Sequence, residues 1–196
     1  TLGKHPYIKD IIVVANLQNL EDIRNNIKRY RIDKIKDVVL GGRRRQISVF
    51  NGLRATDNQT DMVLIHDAVR PFISQELITT LLEEAKSNPA VICGVPVKAT
   101  IKQVTLPQGL HDRSVFVEKT LKRENIWEIQ TPQVFQKSVL LEAYAKYKNT
   151  AVTDDASLVE KLGVKIKVVL GSYFNIKITT PEDLVFAKAI VKAGYV

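Results

Sequence analysis

The sequence predicts an α/β fold in which a mostly parallel, twisted sheet carries helices on both faces. Three observations lead there. Short β-branched runs alternate with stretches whose apolar residues recur every three or four positions. The runs are apolar throughout, as strands buried on both faces are. The helix-like stretches open and close on capping residues. Strand and helix in alternation build a parallel sheet covered on both sides.

The elements follow in order. Ile11 to Ala15 reads as a strand, and Leu20, Ile23 and Ile27 mark the helix after it. Val38 to Leu40 is a strand that runs into Gly41-Gly42, after which Ile47, Phe50 and Leu53 share a helical face. Met62 to Ile65 is a strand ending in His66-Asp67, and Ser74 caps a helix to about Lys86. Ala90 to Val95 is a further strand. Thr153 is expected to cap a helix that Gly163 stops, and Lys165 to Leu170 to form a strand. Thr180-Pro181-Glu182-Asp183 opens a helix with a capping hydroxyl, a proline in the first turn and acids at the positive dipole end. From Pro96 to Trp127 the alternation breaks. Strand-like pieces, Val97 to Val104 and Ser114 to Thr120, flank a turn with Pro107, Gly109 and Asp112, and this stretch reads as a projecting β-arm. The rest reads as a single domain over residues 1–196, without internal repeat or linker.

Composition narrows the class. Hydrophobic content of 45% and charged content of 26% over 196 residues suit one globular core. The one cysteine, Cys93, lies in the apolar run AVICGV, which excludes a disulfide framework within the chain and suits a reducing compartment. No apolar run approaches the ~20 residues that span a bilayer. The opening TLGKHPYIKD lacks a signal-peptide core, so the expectation is a cytoplasmic protein without a membrane partner. The net charge of +8 suits an anionic ligand. Its lysines and arginines are spread along the chain apart from Arg43-Arg44-Arg45, and no zinc-finger, RNP-like or heptad pattern accompanies them, which argues against nucleic acid.

Parallel sheets bind ligands at the carboxyl ends of their strands, and that rule picks out Gly41 to Arg45, His66 to Pro71 and the segments around Thr131 and Lys177. In His66-Asp67-Ala68-Val69-Arg70-Pro71 a carboxylate can grip a cation or accept polyol hydroxyls, and Arg70 offers a planar fork to phosphate or to Asp67 itself. The bland reading is an Asp–Arg pair that orders the loop. In Asn175-Ile176-Lys177-Ile178-Thr179-Thr180 a lysine stands inside a short apolar strand, either facing an anion or facing solvent from an edge. In Gly41 to Ser48 two glycines let a backbone approach a ligand before a helix start. Arg123, Thr131, Asp154 and Asp155 are weaker singly, and the two acids could simply strengthen a helix N-terminus.

Together these segments resemble one family. GGRRRQISVFNGL, VLIHDAVRPF, VPVKAT, the Arg123 to Trp127 R-x-x-x-W, QTPQVF, TDDASLVEKLG and NIKITTPEDL match the 2-C-methyl-D-erythritol 4-phosphate cytidylyltransferases, and cover nearly the whole chain from His5 onward. The resemblance implies a Rossmann-like nucleotidyltransferase fold and transfer of CMP from CTP to a polyol phosphate with loss of pyrophosphate. It assigns Lys177 and Arg123 to the attacking phosphate, and Asp67 and Arg70 to the polyol, with hydroxyls from Thr100 and Thr131. Gly42, Arg43 and Ser48, with Ala68 nearby, fall where the family contacts cytidine. Mg²⁺ is expected to bridge the CTP phosphates. The arm over residues 96–127, carrying Thr100 and Arg123, is expected to cross to a partner subunit in a homodimer. One departure stands out. The family's opening strand and AAGxGxRMxxxxPKQ loop, which hold the triphosphate, match nothing here, and HPYIKDIIVVA aligns with the family's second strand. Two alternatives stay open: a ribitol-5-phosphate cytidylyltransferase, or a non-catalytic polyanion-binding protein.

Overall fold

A computed structural model of the protein describes residues 1–105, 114–148 and 150–195. Strand β1 (Ile11–Ala15), helix α1 (Leu20–Arg29) and strand β2 (Ile35–Leu40) form the first unit, and β1 pairs with β2 in parallel. Helix α2 (Arg45–Arg54), strand β3 (Met62–Ile65), helix α3 (Gln75–Ala85) and strand β4 (Ala90–Pro96) follow. Strands β5 (Lys102–Val104) and β6 (Val117–Thr120) make an antiparallel ribbon. Strand β7 (Trp127–Gln136), helices α4 (Lys137–Tyr147) and α5 (Ala156–Glu160), strand β8 (Lys167–Leu170) and helix α6 (Pro181–Lys192) complete the chain.

The main sheet has the order β3-β7-β4-β8. Strands β3, β4 and β8 share one direction, while β7 lies between β3 and β4 and runs against both. The sheet is therefore mixed, with its one reversed strand at the centre. The sequence reading had no strand here, because β7 carries buried Gln130, Thr131 and Gln133 and so lacks an apolar run. Those amides and hydroxyl are tolerated because each has a partner: Gln133 donates to Asp154, and Gln130 donates to the Ser172 carbonyl.

Helices cover both faces. On one, Leu53 of α2, Leu140, Ala143 and Tyr144 of α4, and Leu158 and Val159 of α5 pack on Ala90, Ile92 and Phe135. On the other, Leu77, Leu81 and Ala85 of α3 pack on Val91, Cys93, Val134 and Val169. Helix α2 also joins the β1–β2 unit, since Gly52 lies so close to Val14 that a Cβ there would meet its methyl at 2.8 Å.

Local chemistry explains the helix starts. Ser74 accepts from the Leu77 amide, and Thr180 with Asp183 forms a reciprocal capping box ahead of Pro181. Helix α5 departs from expectation. It begins after Asp155, and Asp154 rather than Thr153 accepts the Ser157 amide and hydroxyl. Lys177 does not sit in a strand: residues 175–179 form a loop, whose Ile178 amide donates to the Val69 carbonyl at 2.9 Å. The β-arm is present but shorter in strand than predicted, and all residues of β5 and β6 are exposed. The predicted turn at Pro107, Gly109 and Asp112 lies outside the described residues.

Candidate active site

The loop after β3 and the segment 175–179 meet at one end of the main sheet, and Asp67 is their junction. Asp67 Oδ2 lies 3.0 Å from Lys177 Nζ, and Oδ1 accepts from Arg45 Nε at 3.1 Å. The two cations thus take one carboxylate oxygen each. Burial works against the Asp67 charge, but the hydrogen bond from Lys177 and the Arg45 and Lys177 charges outweigh it and hold the carboxyl below the usual aspartate range. Arg45 also pairs with Asp155, so the four charges balance, and Lys177 is the more exposed of the two cations.

A chain of neutral hydrogen bonds sets the backbone beneath. The Asp67 amide donates to Thr131 Oγ1 at 3.0 Å. The Thr131 hydroxyl lies 3.2 Å from His66 Nδ1, and His66 Nε2 lies 2.9 Å from the Arg70 carbonyl. Burial above all keeps the His66 pKa below its ordinary value, so the imidazole is neutral at pH 7. A neutral ring with Nε2 protonated satisfies every member: Thr131 donates to Nδ1, and Nε2 donates to Arg70. The bulge in β7 opposite Ile92 and Cys93, where Gln133 and Gln130 are the consecutive partners, puts Thr131 in place for this.

Arg70 is buried and does not pair with Asp67. Its guanidinium donates to the Asn175 carbonyl at 2.7 Å, and Nε has no hydrogen-bond partner among the described residues. Asn175, fully buried, donates to the Thr131 carbonyl at 2.9 Å. Arg70 and Asn175 therefore tie the β3 loop, β7 and the Lys177 segment into one block.

The Gly41 to Ser48 loop is built by close approach. The Gly42 amide donates to Ser48 Oγ at 3.0 Å, and a Cβ on Gly42 would fall 2.2 Å from the Ile47 Cγ2. Gly42, Arg43 and Ala68 are exposed, as a ligand-reading surface must be. Thr100 and Arg123 lie apart from this cluster on the arm. Both are exposed, and the Arg123 guanidinium donates to the Lys98 carbonyl.

Two residues that the sequence reading left without a role in the site belong to the cluster. Arg45 joins Asp67 to Asp155, donating to Asp155 Oδ2 at 2.7 Å. Asp155 is buried and also accepts from the Tyr144 hydroxyl. The Arg43-Arg44-Arg45 run and the pair Asp154-Asp155 were the signals, and neither could say which residue turns inward.

Comparison with known proteins identifies the family. The family 2-C-methyl-D-erythritol 4-phosphate cytidylyltransferase (IspD) matches residues 1–193. A protein of that name from Halalkalibacterium halodurans is 46% identical over 184 residues, covering 93% of this chain and 77% of its own. One from Syntrophus aciditrophicus is 41% identical, covering 97% and 80%. The crystal structure of a 4-diphosphocytidyl-2C-methyl-D-erythritol synthase from Anaerococcus prevotii superposes with a TM-score of 0.86 at 37% identity, over 98% of this chain and 82% of that one. With the motifs, the fold and relatives at this identity all in agreement, the chain belongs to the 2-C-methyl-D-erythritol 4-phosphate cytidylyltransferase family.

Proposed function

We propose that the protein transfers CMP from CTP to 2-C-methyl-D-erythritol 4-phosphate and releases pyrophosphate. An oxygen of the acceptor phosphate forms a bond to the α-phosphorus of CTP, and the bond from that phosphorus to the oxygen bridging it to the β-phosphate breaks. The observation that carries this reading is the convergence of Arg45 and Lys177 on Asp67 in a chain of this family. Two polyanions must meet in line, so fixed cations and positioned hydroxyl acceptors supply most of the catalysis.

In this reading Lys177 turns from Asp67 towards the acceptor phosphate, and Asp67 accepts hydrogen bonds from the polyol hydroxyls. Thr131 and Arg70 hold the loop that presents them. Gly42, Arg43, Ser48 and Ala68 read the cytidine. Mg²⁺ fits as an ion carried in on the triphosphate. Among the described residues no group of three or more His, Cys, Asp or Glu could hold a metal, and Mg²⁺ is commonly bound through substrate phosphates and water. It would supply charge neutralisation on the phosphates.

The arm supports a homodimer in which each site draws on both chains. Arg123 and Thr100 are exposed, and Val115, Phe116 and Val117 present apolar side chains 55%, 69% and 60% exposed. Such a patch gains by being covered. No described helix is long and apolar enough to cross a membrane, and we place the enzyme in the cytoplasm with Cys93 reduced.

Pyrophosphate release decides the reading. It should be rapid with CTP and methylerythritol phosphate. It should be weak with ATP or GTP, because a pocket that pairs with a pyrimidine rejects purines by size and by unpaired polar groups. Equal turnover of ATP, or a preference for ribitol 5-phosphate, would overturn the corresponding half of the assignment.

A further inference from the structure

Two adjacent acids precede α5, and they are used differently. Asp154 serves the helix, accepting the Ser157 amide at 3.0 Å and its hydroxyl, and receiving Gln133 on its other oxygen. Asp155 stands at the N-cap position yet makes no capping bond. Its side chain is 1% exposed, and both oxygens are taken, one by the Tyr144 hydroxyl and one by Arg45. One acid suffices for a helix start, so the burial of a second, with a donor on each oxygen, needs another reason. A buried carboxylate is costly unless paired, and its partner Arg45 also reaches Asp67, which links the α4–α5 layer to the site.

We infer that Arg45 is a positioning residue for the acceptor half of the site: braced by Asp155 and Tyr144, it fixes the Asp67 carboxylate in the orientation in which Lys177 meets it. The inference rests on the reading that Asp67 and Lys177 serve the acceptor. A guanidinium is required because its Nε and a terminal nitrogen point to two carboxylates at once, at 3.1 and 2.7 Å, which one ammonium cannot reproduce. Arg45 also divides the Asp67 oxygens. It holds Oδ1, so that only Oδ2 faces Lys177. Without it the carboxylate can turn both oxygens to Lys177 and withdraw that cation from an incoming phosphate.

The test uses the complete protein and steady-state pyrophosphate release, with each substrate varied in turn. Arg45→Gln alone strands Asp155, so the informative variant is Arg45→Gln with Asp155→Asn, which leaves no buried unpaired charge. Its KM for methylerythritol phosphate should rise on the order of 10- to 100-fold, as a misplaced binding group costs, while its KM for CTP moves by less than about twofold. Arg45→Lys should recover less than roughly half of the loss, since the charge alone does not supply the fork. Asp154→Asn should leave the acceptor KM in place. A merely structural Arg45 would lower the melting temperature and leave both KM values unchanged, and that result, or an equal rise in both, would overturn the inference. If the unaltered protein releases no pyrophosphate from this substrate pair, the functional reading fails by itself. The side-chain ¹³C carboxyl signal of Asp67 in ligand-free protein then decides: displaced in the double variant and unmoved in Asp154→Asn if Arg45 positions it, unmoved in both if it does not.

Discussion

The sheet-end cluster and the arm carry the same kinds of residue in opposite physical settings. Around Asp67, charges from α2, the β3 loop and the 175–179 segment interlock, with Asp155 buried behind them and Arg70 and Asn175 packed beneath. On the arm, Thr100 and Arg123 are exposed in the segments that flank a two-stranded ribbon, whose strands are exposed throughout. An isolated ribbon is marginal in water. The comparison teaches that the cluster is held by its own packing and ion pairs, whereas the arm residues would gain a fixed place from the partner subunit proposed above.

The largest effect expected is on the cluster. Lys177→Ala should cost about 2–4 kcal/mol of transition-state stabilisation, as the loss of a charge-stabilising group does, while the fold survives because that side chain is 43% exposed. Near-normal turnover, or unfolding, would return Lys177 to the role of an ordinary surface lysine.

Subunit mixing sharpens the contrast. If the arm completes the neighbour's site, Arg123→Ala and Lys177→Ala homodimers are each nearly inactive. Mixed under exchange, half of the dimers become heterodimers, each with one doubly damaged site and one intact site, so roughly a quarter of all sites regain activity. Restoration of nothing, or a monomer in solution, breaks the comparison.

Acid stability measures the cluster's electrostatics. The folded Asp67 pKa lies below the unfolded value of about 3.9. Its contribution to stability is therefore complete above that value and is lost as pH falls through the lower folded pKa. Denaturant midpoints of the parent protein and Asp67→Asn should differ at pH 7 and converge as the pH drops towards 2. A constant gap would show that the carboxylate's charge is not what its partners stabilise.

The smallest effect belongs to the arm. Gln103→Ala, which removes one exposed side-chain hydrogen bond to Glu118, should change stability by less than about 0.5 kcal/mol in a melt, because both groups return to water. A larger loss would mean that the ribbon is already held by packing.

Much of this molecule was legible from local chemistry. The caps at Ser74 and Thr180, the strands β1, β3 and β4, and the placement of Asp67 after β3 all follow from residues within a few positions of one another. Helix α4 and strand β7 were missed for a reason of the same kind. The apolar positions of α4 run straight on from β7 without an intervening turn signal, and the buried Gln130, Thr131 and Gln133 hide the strand. Lys177 was misread as part of a strand because Ile176 and Ile178 flank it.

By itself the sequence determined the α/β class, the family and the segments that form the site, since period, caps and motifs act over short spans of chain. Only the tertiary structure decided which of three consecutive arginines faces inward, and that Asp155, 110 positions away, is its partner. It also decided that Arg70 braces the loop through Asn175 instead of pairing with Asp67. Charge pairing depends on distances of a few ångströms set by the rotation of α2 and the entry to α5, and residues so far apart in the chain carry no local sign of it.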